Sequence, residues 1–388
     1  VFRLNVAYFD HAASSWPKPP EVLLAMQECM QHAAANPGRG SHQMAVKASR
    51  ILFETRKQLA KLFKIKNPND ISFALNTTMA LNQAILGFLK EGDHVICTSV
   101  EHNSVRRPLE YVKKTRGVQI TYVQTNSKGE LSLDKVKEAV TNRTSLMVCS
   151  HSSNLLGSIL PVAELGELCK ENGIKLLVDA AQSAGTLDID VGKMGIHMLA
   201  FPGHKSLLGP QGTGGLYIEP ELELEPLLFG GTGSQSEMIE QPNVRPDRYE
   251  SGTQNTVGIA GLGEGVKFVL KETVAQIHGK EWAQTQQLMA SLMEIEGVQL
   301  LGPDLGQNKT GIVSFTIHQT DSSEVAFILD QTFNIAVRAG YHCTPLAHEA
   351  AGTLERGAVR ASIGYFTKDE EVDRLVAAVK EIAKHMKS

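Results

Sequence analysis

Residues 174–206 read IKLLVDAAQSAGTLDIDVGKMGIHMLAFPGHKS. Two apolar, strand-like runs, IKLLVD and HMLAF, each end in a small cluster of polar residues. The first ends at Asp179, with Gln182 three residues later. The second runs into a Gly-His-Lys turn that places Lys205 26 residues beyond Asp179. Similar runs lie on both sides: DISFAL, HVICTS, VQITYVQ and TSLMVCS before, GGLYIE after. They are short, rich in β-branched residues and bounded by Gly, Asp or Asn, as strands are. Helical patterns such as VKASRILFETRKQLAKLF and PVAELGELCKENG stand between them. Strand-helix alternation of this kind predicts an α/β fold: a doubly wound, mostly parallel sheet of seven strands with helices on both faces.

Past Asn255 the pattern changes. A helix-rich stretch over 257–295 is followed by the strand-like runs TGIVSFTI and FNIAVRAG. The last helix, EEVDRLVAAVKEIAKHM, has apolar residues at 372, 375, 376, 379 and 382, so one face packs inward. The expected division is a large domain over 14–255 and a smaller α+β domain over 256–388, joined by the N-terminal residues 1–13. The polar loop over 230–255 is too long for a plain connection in a compact chain, which marks it as functional.

Bulk properties narrow the function. The 388 residues are 42% hydrophobic and 21% charged, with a formal net charge of −4. Nothing here favours nucleic acid or a membrane surface. No apolar run reaches membrane-span length, and the opening VFRLNVAYFDHAASS lacks the basic start and apolar core of a signal peptide. Five scattered cysteines, at 29, 97, 149, 169 and 343, form no CxxC pair, so a reducing cytoplasmic setting is expected.

The chemistry sits at the predicted strand ends, where open α/β sheets bind ligands. A lysine and an aspartate on neighbouring strand ends are the two groups that pyridoxal 5′-phosphate (PLP) requires: an amine to form an imine, and a carboxylate to hold the pyridinium nitrogen. Lys205 and Asp179 fill those positions, although an Asp there also caps helices and a Lys in a Gly turn is often a surface residue. Asn76-Thr77-Thr78 follow a strand and open a helix, a place suited to a phosphate or to a plain N-cap. His102, in Glu101-His102-Asn103, follows another strand and can stack on a flat ring or move protons. Arg360 in AVRASIGYF can read a carboxylate bidentately or serve a surface ion pair. Cys343 lies in VRAGYHCTPLAH beside His342, in a stretch too polar for a core strand, where a thiol can act as a nucleophile. The other four cysteines sit in apolar or helical patterns and read as inert. GPQGTGG lacks the spacing of a nucleotide-binding loop.

Taken in order, these segments resemble the class V aminotransferase superfamily of PLP fold type I. Within it they look most like the cysteine desulfurases and selenocysteine lyases with an R-x-G-x-H-C loop, here Arg338-Ala-Gly340-Tyr-His342-Cys343. The likeness begins at YFDHAASS, includes Arg39-Gly40-Ser41-His42, and continues through NTT, EHN, SSNLLG, VDAAQ, GHK, ESGTQN and AVRASIGYF. The resemblance implies that Lys205 carries PLP, that Asp179 binds the pyridine nitrogen and Gln182 the ring hydroxyl, and that His102 stacks on the ring. Thr77, Thr78 and His204 would hold the phosphate. Thr253 would reach the phosphate of the other subunit in a homodimer. Asn154 and Arg360 would orient the carboxylate of L-cysteine or L-selenocysteine, and Cys343 would take the sulfur and pass it to an acceptor protein or small thiol. An aminotransferase or carbon–sulfur lyase of the same superfamily would have no use for Cys343, and a PLP-free sulfur-transfer scaffold would need neither Lys205 nor Asp179. Three positions depart from the pattern: Pro202 stands where Ser or Thr usually holds phosphate, His197 where Asp is common, and His11 where Asn or Ser is common.

Overall fold

The computed structural model describes residues 6–38, 40–235 and 237–386; Arg39, quoted above, lies outside them. All seven predicted strand runs form one sheet, in the order Ile71–Ala74, Gly214–Ile218, Met198–Pro202, Lys175–Asp179, Thr144–Ser150, His94–Thr98, Gln119–Val123. Gly214–Ile218 is antiparallel to both of its neighbours, and the remaining pairs are parallel.

Successive residues of a strand face opposite sides of a sheet. Here both sides are apolar. Met147, Cys149, Leu176, Val178, Leu199 and Phe201 pack into one core. Their neighbours Leu146, Val148, Leu177, Met198 and Ala200 pack into another. That is why these strands read as continuous apolar runs, as strands of a parallel sheet covered on both faces do. The helices Gln43–Phe63, Val162–Glu171 and Thr256–Glu272 contribute to the first core, and Thr77–Phe88 and Asn103–Arg116 to the second. Each large side chain sealed there, such as Phe201 or Ile96, is worth about 1.5–3 kcal/mol of burial.

A four-stranded antiparallel sheet follows, in the order Arg338–Gly340, Ala358–Ser362, Ile312–Ile317, Val298–Leu301. It shares a third core with the helices Val274–Met293, Ser322–Phe333 and Asp369–His385. Val372, Leu375, Val379 and Ile382 of the last helix are buried in it, and Val376 packs at its edge. The run FNIAVRAG is not one strand. It divides into Ile335–Ala336, which pairs in parallel with the N-terminal Ala7–Tyr8, and Arg338–Gly340, which pairs with Ala358–Ser362. The chain changes partner within three residues, and that choice depends on segments outside the run, one of them at the far N-terminal side of the chain.

Candidate active site

Six strands end on one edge of the large sheet, and the loops leaving five of them, together with Ala12, Ala13, Arg338, His342 and Arg360, line a pocket of about 220 Å³. Its lining includes Thr77, Thr78, His102, Asn154, Asp179, Gln182, His204, Lys205 and Arg360. The structure therefore brings together all but two of the residues expected at the site. Thr253 is exposed and does not line this pocket. Cys343 does not line it either, but the adjacent His342 and Arg338 of the same loop do.

Lys205 follows the strand Met198–Pro202, in a loop tied at both ends. Pro202 pairs with Gly214, Gly203 N–H donates to Thr213 O at 2.8 Å, and Gly209 N–H donates to Gly203 O at 2.8 Å. Burial lowers the Lys205 ammonium to about 8, helped by Arg360 and Arg338 and opposed by Asp179. Near neutral pH about a tenth is thus a free amine, the reactive form, far more than for an ordinary lysine. Asp179 is buried and accepts the Ala181 N–H at 2.8 Å. Burial raises its carboxyl, and the Lys205 charge pulls it back. A turn follows it rather than a helix, so the helix-capping alternative does not apply.

His102 caps the helix Asn103–Arg116: its Nδ1 accepts the Ser104 N–H at 3.0 Å. That bond fixes the tautomer, leaving the proton of the neutral ring on Nε2. Burial, with Lys205 and Arg338 nearby, lowers the ring to about 4, so it is neutral at physiological pH. Asn76 caps the helix Thr77–Phe88 through Met79 N–H, which leaves first-turn amides available to an anion. The Thr78 hydroxyl bonds Ser104 Oγ at 2.8 Å. Pro202 closes its strand and offers no donor to such an anion. Gln182 Nε2 donates to Ala12 O at 3.1 Å. His204 is lowered to about 4 by burial, then by Lys205 and Lys18. Of the other departures, His197 accepts the Leu176 N–H at the far end of its strand from the pocket, and His11 is buried against Tyr8 O.

Arg360 is not on the surface: it is 1% exposed. Its Nη2 meets Asp10 Oδ1 at 3.0 Å and its Nη1 donates to Asn154 O at 2.9 Å. Four buried polar atoms of pocket residues have no protein partner: Arg360 Nε, Asn154 Oδ1, His204 Nδ1 and His342 Nδ1. Buried polar atoms are normally satisfied, so these atoms suit a polar ligand.

The Cys343 loop is a tight turn. Thr344 N–H closes onto Tyr341 O at 3.0 Å, and the two central residues, His342 and Cys343, have φ of 48° and 59°. Side chains in this left-handed region cost about 1–3 kcal/mol each and persist where surroundings hold them, often at active sites. Cys343 is half-buried, whereas Cys29, Cys97, Cys149 and Cys169 are buried and burial raises their thiols. Sequence reading assigned no role to Asp10, the counter-ion of Arg360, or to Arg338, whose charge reaches both Lys205 and His102.

The chain has relatives that match it over nearly its whole length. The family model for aminotransferase class-V matches residues 7–375. A probable cysteine desulfurase of Methanothermobacter thermautotrophicus is 37% identical over 97% of this chain and 94% of its own length. The apo structure of a cysteine desulfurase from Thermococcus onnurineus NA1 superposes with a TM-score of 0.93 at 33% identity, covering 98% of this chain and 95% of that one. The cysteine desulfurase CsdA of Escherichia coli gives 0.89 at 25% identity, over 98% and 95%. With a match that runs from the first paired strand into the last helix, the chain belongs to the aminotransferase class-V family.

Proposed function

We propose that this protein is a PLP-dependent cysteine desulfurase, which converts L-cysteine to L-alanine and leaves the sulfur on Cys343 as a persulfide. The observation that carries the reading is the pocket itself: a partly neutral Lys205, a buried Asp179 and an Arg360 with an unpartnered Nε converge there, and the Cys343 turn forms part of its wall. The residues fit the cofactor. Lys205 would hold it covalently, Asp179 its ring nitrogen, Gln182 its ring hydroxyl, and the Thr77–Thr78 helix start with His204 its phosphate. His102 would stack on its ring. Bound there, PLP supplies the electron sink that makes the substrate Cα acidic.

The protein's own groups do the rest. Arg360 and Asn154 orient the substrate carboxylate. The Lys205 amine takes the Cα proton and later returns a proton. The Cys343 thiolate attacks the substrate Sγ, the Cβ–Sγ bond breaks, and its electron pair stays with the carbon skeleton. Proton return gives alanine, and the bookkeeping closes as L-cysteine plus thiol to L-alanine plus persulfide. The sulfur then passes to an acceptor protein or small thiol. Residues 14–255 would carry the cofactor, with 1–13 and 256–388 closing over it. Thr253 on the long polar loop would complete the phosphate site of a second copy in a homodimer.

The test compares wild type with Cys343→Ala on L-cysteine, measuring alanine, sulfide and the mass of the peptide carrying Cys343. The reading expects a sulfur-sized addition in the wild type. It expects the variant to bind L-cysteine, seen as a change in cofactor absorbance, yet release little alanine. Normal turnover by Cys343→Ala would replace this reading with a lyase or aminotransferase, and a preference for L-selenocysteine would make it a selenocysteine lyase.

A further inference from the structure

We propose that Thr344 is the positioning residue that holds Cys343 against the site. The inference rests on the desulfurase reading for its catalytic consequence, and on the turn geometry alone for its structural one. A turn with two successive left-handed residues is favoured by Asn-Gly and similar pairs. Here the pair is His342-Cys343, so the local sequence does not select the turn and its surroundings must.

The ties are all visible. Asn154 Nδ2 donates to His342 O at 2.7 Å, and His342 Nε2 meets Ala358 O at 3.0 Å. Asn103 N–H donates to Cys343 O at 2.8 Å. The Thr344 hydroxyl, fully buried, is shared between Glu101 O at 3.1 Å and Val100 O at 3.3 Å. The last two contacts bracket His102: Thr344 grips the backbone just before it, and Cys343 is gripped by the amide just after it. The nucleophile and the ring-facing histidine are thereby set on one backbone frame. Among these ties, Thr344 is the one made by a side chain outside the proposed machinery. Asn154 belongs to the substrate site, His342 lines the pocket, and Asn103 acts through its backbone.

The experiment uses the PLP-loaded enzyme with Thr344→Val, which keeps the shape and removes the donor, and Thr344→Ser, which keeps the donor. Three quantities are read: L-cysteine binding by cofactor absorbance, single-turnover sulfur loading of Cys343 by mass spectrometry, and hydrogen exchange of the amides over 341–344. Thr344→Val should bind L-cysteine within about twofold of wild type. It should load sulfur about 10- to 100-fold more slowly, the range that a misplaced reacting group costs, and its turn amides should exchange faster. Thr344→Ser should stay within about threefold on every readout. Should Thr344→Val fail to fold, Thr344→Ala carries the same expectations. Wild-type loading by the variant lacking the hydroxyl, equal losses in the Val and Ser variants, or unchanged exchange would each overturn the proposal. A wild-type enzyme that places no sulfur on Cys343 would refute the desulfurase reading instead, and the exchange comparison would still decide whether Thr344 holds the turn.

Discussion

Replacing Arg360 by Lys keeps the charge and tests whether the shape of the guanidinium matters. The guanidinium has five N–H donors. One is spent on Asn154 O and one on Asp10 Oδ1. Three remain, and the Nε–H has no protein partner, so Nε and an Nη can meet a substrate carboxylate together. A lysine has three donors. If two replace the bonds to Asn154 and Asp10, one is left for the substrate. The substitution therefore removes one charge-assisted hydrogen bond, worth about 1.5–3 kcal/mol. At about 1.4 kcal/mol per tenfold, kcat/KM for L-cysteine should fall by about 10- to 100-fold. The loss should appear mainly in KM if the carboxylate is held equally in ground and transition states. Steady-state alanine production measures it, with cofactor absorbance as the check that the site is still loaded. A loss of less than about threefold with full cofactor content would refute this geometry, because the free donors of Arg360 would then not be reading the substrate.

Other outcomes follow from the same structure. Glu250 holds Arg56 through two contacts of 2.6 and 2.8 Å and accepts Phe73 N–H at 2.5 Å, all buried, so Glu250→Ala should cost about 3–5 kcal/mol in denaturant unfolding, and a cost below about 1 kcal/mol would contradict the assignment. Burial pushes the Glu281 carboxyl up from 4.5 to about 7 while Thr186 donates to it. Below the lower value both folded and unfolded states are protonated, and above the upper value the folded state carries the cost of a buried charge, so stability is lost as pH rises between them. Glu281→Gln should then stabilise the chain by up to about 3 kcal/mol at pH values of about 8 and by almost nothing at about 4; equal shifts in denaturation midpoint at both pH values would rule this out. Thr253→Ala should weaken PLP retention with little change in unfolding stability, and a fully active monomer by sedimentation would defeat the composite-site reading.

The large sheet was legible in the chain because its strands announce themselves locally. IKLLVD or TSLMVCS is apolar on both faces, short, and closed by polar punctuation. Once the strands that run the same way are placed, their exits share an edge, and Asp179, Lys205, His102 and Thr77 come together as a matter of topology. What escaped depends on partners that lie outside the run being read. The division of FNIAVRAG follows from where Ala7–Tyr8 and Ala358–Ser362 lie, and Val298–Leu301 is a strand only because Ile312–Ile317 offers it an edge. Asp10 and Arg360 stand 350 positions apart, so no window of sequence shows their pairing. The Tyr341–Thr344 turn was hidden for another reason: its left-handed residues are His and Cys, not the Gly or Asn that signal such backbone.

The loop that carries Lys205 differs from two of its neighbours at this edge. Those after Asn76 and His102 run directly into helices, which can tilt and take their loops with them. The one after Pro202 returns at once into the antiparallel strand Gly214–Ile218, and cross-bonds lock it at Gly203 and Gly209. Its length is consequently dictated by the ladder on either side. Inserting or deleting a residue between 203 and 213 would disturb the bonds that close this loop onto the pairing of Pro202 with Gly214, whereas the polar stretch over 230–255 leads into the helix Thr256–Glu272 and does not join two paired strands. The lysine thus stands on the sheet's own ladder rather than at the head of a helix, and serves as the fixed datum of the pocket.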